Sequence, residues 1–573
     1  MTAGRQTAAP GPSRSTAEAL RAYCDAGVIV PADLAAARML VGIARRAEPV
    51  EPSTLAWVAM CLALRAPRDG HTCVPLAAIA EWAGTIDLDQ ADHLTWPLEP
   101  QVWIESLATV APLVGRPGDR TPFILDGEGS DVRLYLARSL SEEQAIAAAL
   151  LRDGARHVSV LLGGPGSGKT YTLAKDLIDT FASAETPPRI ALAAPTGKAA
   201  ARMTKALEDR CVKANASPEV LAAVRAAPAT TVHRLLKFTP NRTPRFAYGP
   251  GNPLDYDLVV VDEVSMISSS LLHQLLSALS PTTAIRLVGD PDQLASVESG
   301  SVLSDIATAC RRTESPLHPR LTELTGQHRY GPGSAIAKLA VAIRDGDVSG
   351  AIAALDAGTA DVTWIRPGDT AGLEATTSLV ATHAKRLREL AEATAGTAEQ
   401  RARAAVTAQA GLQVLCARRS GSAGVEGWNQ RIERRLGPAA AGGWYAGRPI
   451  MITKNNPDIA LYNGDVGLVV PADEDRKDAV FPLGDEIVRV PVTRLEDVAT
   501  VHALTIHKSQ GSEYDHAIVV LPEARSRLLT RELLYTGVTR AAKRVTVIGS
   551  REVIEAAIKR PVRRATGLAG RLS

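Results

Sequence analysis

Apolar residues recur at helical spacing from residue 16 to about residue 84, as in Leu34-Ala-Ala-Ala-Arg-Met-Leu-Val-Gly-Ile43, and the pattern predicts a small helical unit. Past residue 132 the pattern changes. Short apolar runs at 158–162, 190–194, 258–261 and 285–288 alternate with helical stretches up to residue 324. Runs of that length and spacing predict parallel strands covered by helices on both faces. A second set follows at 362–365, 412–416, 517–521 and 544–548. The repetition predicts two similar lobes, so the fold class is α/β with two doubly wound parallel sheets. Residues 393–410, rich in Ala, Glu, Arg and Gln, read as a surface helix or mobile connection.

Two insertions interrupt this plan. Pro449-Ile-Met-Ile-Thr453 and Val466-Gly-Leu-Val-Val470 flank Asn463-Gly464-Asp465, a hairpin signal that places a small SH3-like β module at about 440–500. In the first lobe, Phe238, Phe246 and Tyr248 sit among Lys237, Arg242 and Arg245 within an insertion at about 237–254. Aromatic and basic residues together on a hairpin suit a platform for stacked bases. The alternative is a loop that packs its aromatics on its own domain. The expected organisation is then a disordered tail over 1–16, an N-terminal helical domain over 17–130, lobes at 131–328 and 329–560, and a C-terminal tail over 561–573.

Composition narrows the class. At 573 residues the chain exceeds the ~300 that one core supports, so several domains are required. The net charge of +2, from 64 basic and 62 acidic residues, creates no global field, so any polyanion must meet basic residues locally. Six cysteines without a Cys-x-x-Cys pair argue against a zinc ribbon, an iron–sulfur cluster or a disulfide framework. His71 and Cys73 lie two apart with no second pair, so a packed turn is expected there. The first residues lack an apolar signal region and the run at 55–64 is too short to span a bilayer, so a cytoplasmic location without a membrane partner is expected.

Candidate chemistry begins at Gly163-Gly164-Pro165-Gly166-Ser167-Gly168-Lys169-Thr170, a complete Walker A phosphate loop between a strand and a helix. Its glycines let backbone N–H groups converge on phosphate oxygens. Lys169 is placed for the β- and γ-phosphates and the Thr170 hydroxyl for Mg²⁺. The chain therefore reads as a user of nucleoside triphosphate. Asp262 and Glu263 end a buried strand, where Asp262 can hold Mg²⁺ and Glu263 can polarise the attacking water. The next strand ends in Gly289-Asp290-Pro-Asp-Gln293, bringing an uncharged donor and acceptor near the γ-phosphate. Arg329 and Arg540, in the second lobe, are the cations that can stabilise charge building on the transferring group. An arginine reaching across from another lobe makes hydrolysis depend on lobe closure.

Taken in order, Leu140-Ser-Glu-Glu-Gln144, the phosphate loop, Ala194-Pro195-Thr196-Gly197-Lys198-Ala-Ala, Thr231-Val-His233-Arg-Leu-Leu, Asp262-Glu263, Gly289 to Gln293, Arg329, Thr505-Ile-His507-Lys-Ser-Gln-Gly-Ser-Glu513 and Thr536-Gly-Val-Thr-Arg540-Ala resemble the motif set of superfamily 1 helicases. The form of the third and fourth segments, Ala194 to Ala200 and Thr231 to Leu236, resembles the 5′-to-3′ branch, in particular the RecD family, the alpha subunits of exodeoxyribonuclease V. The likeness covers about residues 135 to 550 strongly. It implies RecA-like lobes, with ATP and Mg²⁺ as cofactors. It implies that Gln144 contacts adenine and Glu513 the ribose. It further implies that Pro195, Thr196, Lys198, Thr231, His233 and His507 line a single-stranded DNA track, to which Phe246 is added from the insertion. Such groups hold phosphates without reading bases. The resemblance implies RecC-like and RecB-like partner subunits, action at DNA duplex ends, and a nuclease that belongs to another subunit. Stand-alone relatives carry a longer N-terminal extension, so the short N-terminal domain suits docking on a partner; an intramolecular stabiliser is the alternative. A stand-alone helicase on DNA or RNA, and a scaffold subunit with a silent motor, stay open as other readings.

Overall fold

The computed structural model describes residues 14–84, 94, 96–152, 158–239, 245–326, 329–331, 333–437, 440, 443–459, 461–472, 476–483, 486–523, 526 and 528–573. Two parallel sheets organise it. The first has six strands in the order Leu321–Leu324, Val158–Gly163, Ala284–Gly289, Leu258–Val261, Ile190–Ala194, Thr230–Thr231. Every neighbouring pair is parallel. Because successive side chains point to opposite faces, the strands feed two cores. Leu161, Val260 and Val288 pack with Leu173 and Leu177 on one face, while Val160, Leu162, Val259 and Leu287 pack with Ile306 on the other.

Register decides where the chemistry can gather. Leu162 lies opposite Gly289, and Val261 opposite Leu287. The loops that follow these three strands therefore open at one edge of the sheet, where open α/β sheets bind ligands.

The second lobe repeats the plan with five parallel strands in the order Val362–Ile365, Ala541–Ile548, Tyr514–Val520, Leu412–Cys416, Ala503–Thr505. The expected β module is an antiparallel sheet in the order Glu486–Pro491, Lys477–Leu483, Val466–Pro471, Pro449–Ile452, Val498–Thr500. Ala398–Gln409 is a helix, and its Ala402 and Ala405 pack with Leu468 and Val480 of that module.

Among its described residues the N-terminal unit has five α-helices, Arg14–Asp25, Pro31–Ala44, Thr54–Arg65, Ile79–Gly84 and Pro100–Ala108, around buried Trp57 and Trp103. It adds a four-stranded sheet, Cys73–Pro75, Arg133–Leu136, Phe123–Asp126 and Val114–Gly115, that helical periodicity did not announce. Two boundary expectations change. Of the tail expected over 1–16, residues 1–13 lie outside the described residues, and the first helix already begins at Arg14.

The C-terminal stretch 561–573 is no free tail. Arg564 donates to the carbonyls of Glu298 and Gly300, each at 2.7 Å. Ala565 donates to His71 Nδ1 at 2.9 Å, and Leu568 enters the first lobe's core. A short stretch with few apolar residues packs because the Arg564 guanidinium meets Glu298 and Gly300, and the backbone N–H groups of Ala565 and Gly567 meet His71 and Glu143. His71 itself is buried against Trp82, as a packed turn requires. Five of the six cysteines are buried and all six are free thiols. Among the described residues no helix is long and apolar enough to cross a membrane.

Candidate nucleotide cleft and strand track

The phosphate loop connects the Val158–Gly163 strand to the Lys169–Ser183 helix. Gly166 and Gly168 have φ of 78° and 94°, a region glycine enters freely. A Cβ at Gly163 would collide with Ser167 Oγ, and one at Gly166 with the Cβ of Arg329. The loop's glycines thus serve close packing as well as phosphate approach. Lys169 Nζ donates to the carbonyls of Gly163 at 2.5 Å and Gly164 at 3.1 Å. Among the described residues the buried Ser167 hydroxyl has no hydrogen-bond partner.

Asp262 and Glu263 follow the Leu258–Val261 strand. Asp262 Oδ1 accepts the Glu263 N–H at 2.8 Å, and Glu263 is held at φ 53°, a strained backbone of the kind that gathers at functional sites. Burial first, then the neighbouring Glu263, raise the Asp262 carboxyl above the usual carboxylate range, with Lys169 opposing. Asp290 is 1 % exposed, and burial likewise raises it, again with Lys169 opposing.

The second lobe closes over this edge. Arg540, 3 % exposed, donates through Nη2 to Gln293 Oε1 at 2.8 Å and to the carbonyls of Ser512 and Thr536, each at 3.2 Å. Gln293 Nε2 in turn donates to Asp290 Oδ2 at 2.9 Å. The same carboxylate oxygen accepts from Tyr535 OH at 3.3 Å. Thr536 Oγ1 accepts the Leu294 N–H at 3.1 Å, Gln510 Nε2 donates to the Leu294 carbonyl at 3.0 Å, and the Leu294 side chain sits in the second lobe's core. Arg329 donates to the Thr539 carbonyl at 3.1 Å and to Glu513 Oε2 at 2.8 Å. Glu513 also accepts from Arg202 at 2.9 Å, so two guanidinium groups hold the carboxylate that was expected at a ribose.

The expected strand residues lie around the same inter-lobe seam and are far less buried. Thr196 caps the Gly197–Lys213 helix by accepting the Ala199 N–H at 3.2 Å, and Thr231 caps Val232–Leu235 by accepting the Arg234 N–H at 3.2 Å. Pro195 is half-buried and Lys198 exposed, its Nζ 5.8 Å from the centre of the Tyr514 ring across the seam. Burial is the largest effect on both His233 and His507 and lowers each; the Glu298 charge raises His233 in opposition, and the Arg564 charge lowers His507 further. Phe246 does not project. It packs against Phe238 with ring centres 5.0 Å apart and against His233 at 6.0 Å, and joins the edge of the first lobe's core. The two-stranded hairpin Phe238–Thr239 with Arg245–Phe246 therefore turns its aromatics onto its own domain; Arg242 lies outside the described residues. Gln144 is exposed on Ala137–Leu151, while its neighbour Glu143 is fully buried and accepts from Thr72, Tyr135 and Gly567.

Four contributors escaped the sequence reading. Arg202 is one turn beyond Lys198 on the same helix, and that spacing could have flagged it. Tyr535 immediately precedes the Arg540 segment, and Thr536 opens it without having been given a role. Arg564 had no signal at all.

Residues 25–135 match the family described as RecBCD enzyme subunit RecD, N-terminal domain; residues 143–299 match the AAA domain, and 500–548 the UvrD-like helicase C-terminal domain. The chain is 39% identical to the RecBCD enzyme subunit RecD of Mycolicibacterium smegmatis, over 96% of this chain and 98% of that one. It is 37% identical to the RecBCD enzyme subunit RecD of Mycobacterium tuberculosis, over 96% of each. To the ATP-dependent RecD2 DNA helicase of Deinococcus radiodurans it is 31% identical, over 74% of this chain and 52% of that one.

Proposed function

This chain belongs to the RecD family of RecBCD enzyme subunits, and from that premise we propose that it is the ATP-driven 5′-to-3′ DNA helicase and translocase of a cytoplasmic RecBCD-type complex. It acts with RecB-like and RecC-like subunits at duplex ends, and the nuclease of the complex resides in another subunit. The observation that carries the reading is the bond from buried Arg540 to Gln293, which joins the second lobe to the nucleotide edge of the first.

The residues account for the chemistry in sequence. On binding ATP, Lys169 leaves the Gly163 and Gly164 carbonyls for the β- and γ-phosphates. Glu263 accepts a proton from the attacking water. Arg329 and Arg540 neutralise charge developing on the γ-phosphoryl group, and Gln293 reports its loss through Arg540. Gln144 takes the adenine. The Thr170 hydroxyl and the half-buried Asp262 carboxylate are hard oxygen donors, and the buried Ser167 hydroxyl of the same loop has no hydrogen-bond partner among the described residues, so they fit Mg²⁺ and would hold it. When bound, the ion supplies positive charge to the phosphate oxygens. Because groups from both lobes meet one nucleotide, each hydrolysis changes how the lobes sit, and Pro195, Thr196, Lys198, Thr231, His233 and His507 pass that change to one DNA strand.

Unwinding of duplexes carrying either a 5′ or a 3′ single-stranded tail tests the reading. ATP-dependent unwinding of the 5′-tailed substrate is expected, and preference for the 3′ tail would overturn the polarity.

A further inference from the structure

We propose that Arg202 is a positioning residue that links occupancy of the strand track to the release of Arg329 for catalysis, a step that rests on the helicase reading above. The Gly197–Lys213 helix carries both ends of this link. Thr196 caps it, Lys198 is exposed in its first turn, and Arg202 lies one turn further on the same face.

From there Arg202 reaches across the seam. Its Nη2 lies 2.9 Å from Glu513 Oε2, the same oxygen that accepts from Arg329 Nη2 at 2.8 Å. One carboxylate oxygen thus serves two guanidinium groups, leaving a net positive cluster at the edge of the nucleotide cleft. The Arg202 charge is also felt at Asp262, which it lowers, and at Arg540, which it opposes.

Sharing has a consequence for Arg329. Its backbone is fixed against the phosphate loop at Gly166, so its guanidinium chooses between Glu513 and a phosphoryl group nearby. A carboxylate divided between two cations holds each less firmly than one devoted to a single partner. With Arg202 in place, Arg329 leaves Glu513 at lower cost. Without Arg202, Glu513 belongs to Arg329 alone and traps it. A helix is stiff over one turn, so a strand that engages Thr196 and Lys198 moves Arg202 relative to Glu513 and sets the sharing. The Arg202 side chain is 46 % exposed, which leaves it room to move.

The test is a double-mutant cycle on DNA-saturated ATP hydrolysis by the whole complex. Arg202→Gln is expected to lower kcat about tenfold with KM for ATP within about twofold. Arg202→Lys, which keeps the charge, should stay within about threefold of wild type and keeps the test readable if the glutamine variant folds poorly. In a Glu513→Gln background, adding Arg202→Gln should produce no further loss, because the trap is gone. A wild-type kcat in Arg202→Gln would overturn the proposal. So would a double variant slowed by the full product of the single effects, since Arg202 would then act on the nucleotide without Glu513. A wild-type complex with no DNA-stimulated hydrolysis would instead overturn the helicase reading, which separates the two failures.

Discussion

The candidate nucleotide cleft and the proposed strand track lie on one inter-lobe seam and are built in opposite ways. In the cleft, Asp290, Gln293 and Arg540 are almost fully buried and form a continuous hydrogen-bonded chain from one lobe to the other. Along the track, Lys198 and His233 are exposed, Thr196 and Thr231 use their hydroxyls as helix caps, and the cross-lobe contacts are ring contacts of cations: Lys198 over Tyr514 and Arg234 over Tyr462, 3.7 Å from the ring centre. Chemistry on a phosphoryl group needs fixed dipoles in a site without water. A strand that must be gripped and released needs contacts that water can replace at small cost. The difference teaches how the proposed function divides the seam: on that reading the buried half fixes geometry for chemistry, and the exposed half exchanges partners with a strand.

The largest effect should fall in the cleft. Lys169→Gln removes the point charge at the loop, and DNA-stimulated ATP hydrolysis is expected to drop by about a thousandfold or more, with assembly into the complex unchanged by gel filtration. Full hydrolysis in that variant would remove the cleft from the account. A track substitution should act on affinity. Lys198→Ala is expected to weaken single-stranded DNA binding by about three- to tenfold and to reduce the slope of log K against log salt by about 0.7, the increment for one phosphate contact on a single strand, while kcat at saturating DNA changes little. A large loss of kcat with unchanged affinity would blur the contrast between the halves.

A further effect is on stability, away from both DNA and the γ-phosphate. Burial and Asp290 raise Asp292 from its ordinary value to about 6, with Arg344 and Arg311 opposing. A folded-state pKa raised in this way contributes stability that is fully present below about 3.9 and is lost as pH rises through about 6. Asp292→Asn should therefore equal wild type near pH 4 and exceed it at pH 8 by about 1–2 kcal/mol, read as a rise in Tm in nucleotide-free buffer. A gain at pH 4 that vanishes at pH 8 would reverse the assigned sign.

Much of the cleft could be read from the chain because its groups are tied to local backbone requirements. The phosphate loop needs glycine at Gly166 and Gly168, and buried apolar strands deliver Asp262, Glu263 and Gln293 to one sheet edge. The lobes followed from the alternation of apolar runs and helical stretches, and the β module from the Asn463-Gly464-Asp465 turn between two apolar runs. What escaped depends on contacts between parts of the chain far apart in sequence. Arg564 meets Glu298 across 266 residues and Arg202 meets Glu513 across 311; helical spacing from Lys198 could point to Arg202, but nothing local names the partner in either pair. The N-terminal sheet escaped for a different reason, since its strands are two to four residues long, too short to impose a period. Phe246 was read as one side of an open choice, and its packing on Phe238 and His233 favours the domain-internal side.

The dependence of hydrolysis on the second lobe is most directly measured by single-turnover ATP hydrolysis in a complex carrying Arg540→Lys. Lysine keeps the charge but loses the planar fork that reaches Gln293 and the Ser512 and Thr536 carbonyls together. ATP should bind within about threefold of wild type while its hydrolysis with single-stranded DNA falls by about a hundredfold. Hydrolysis within about threefold of wild type would contradict the account, because the first lobe would then suffice for the chemistry.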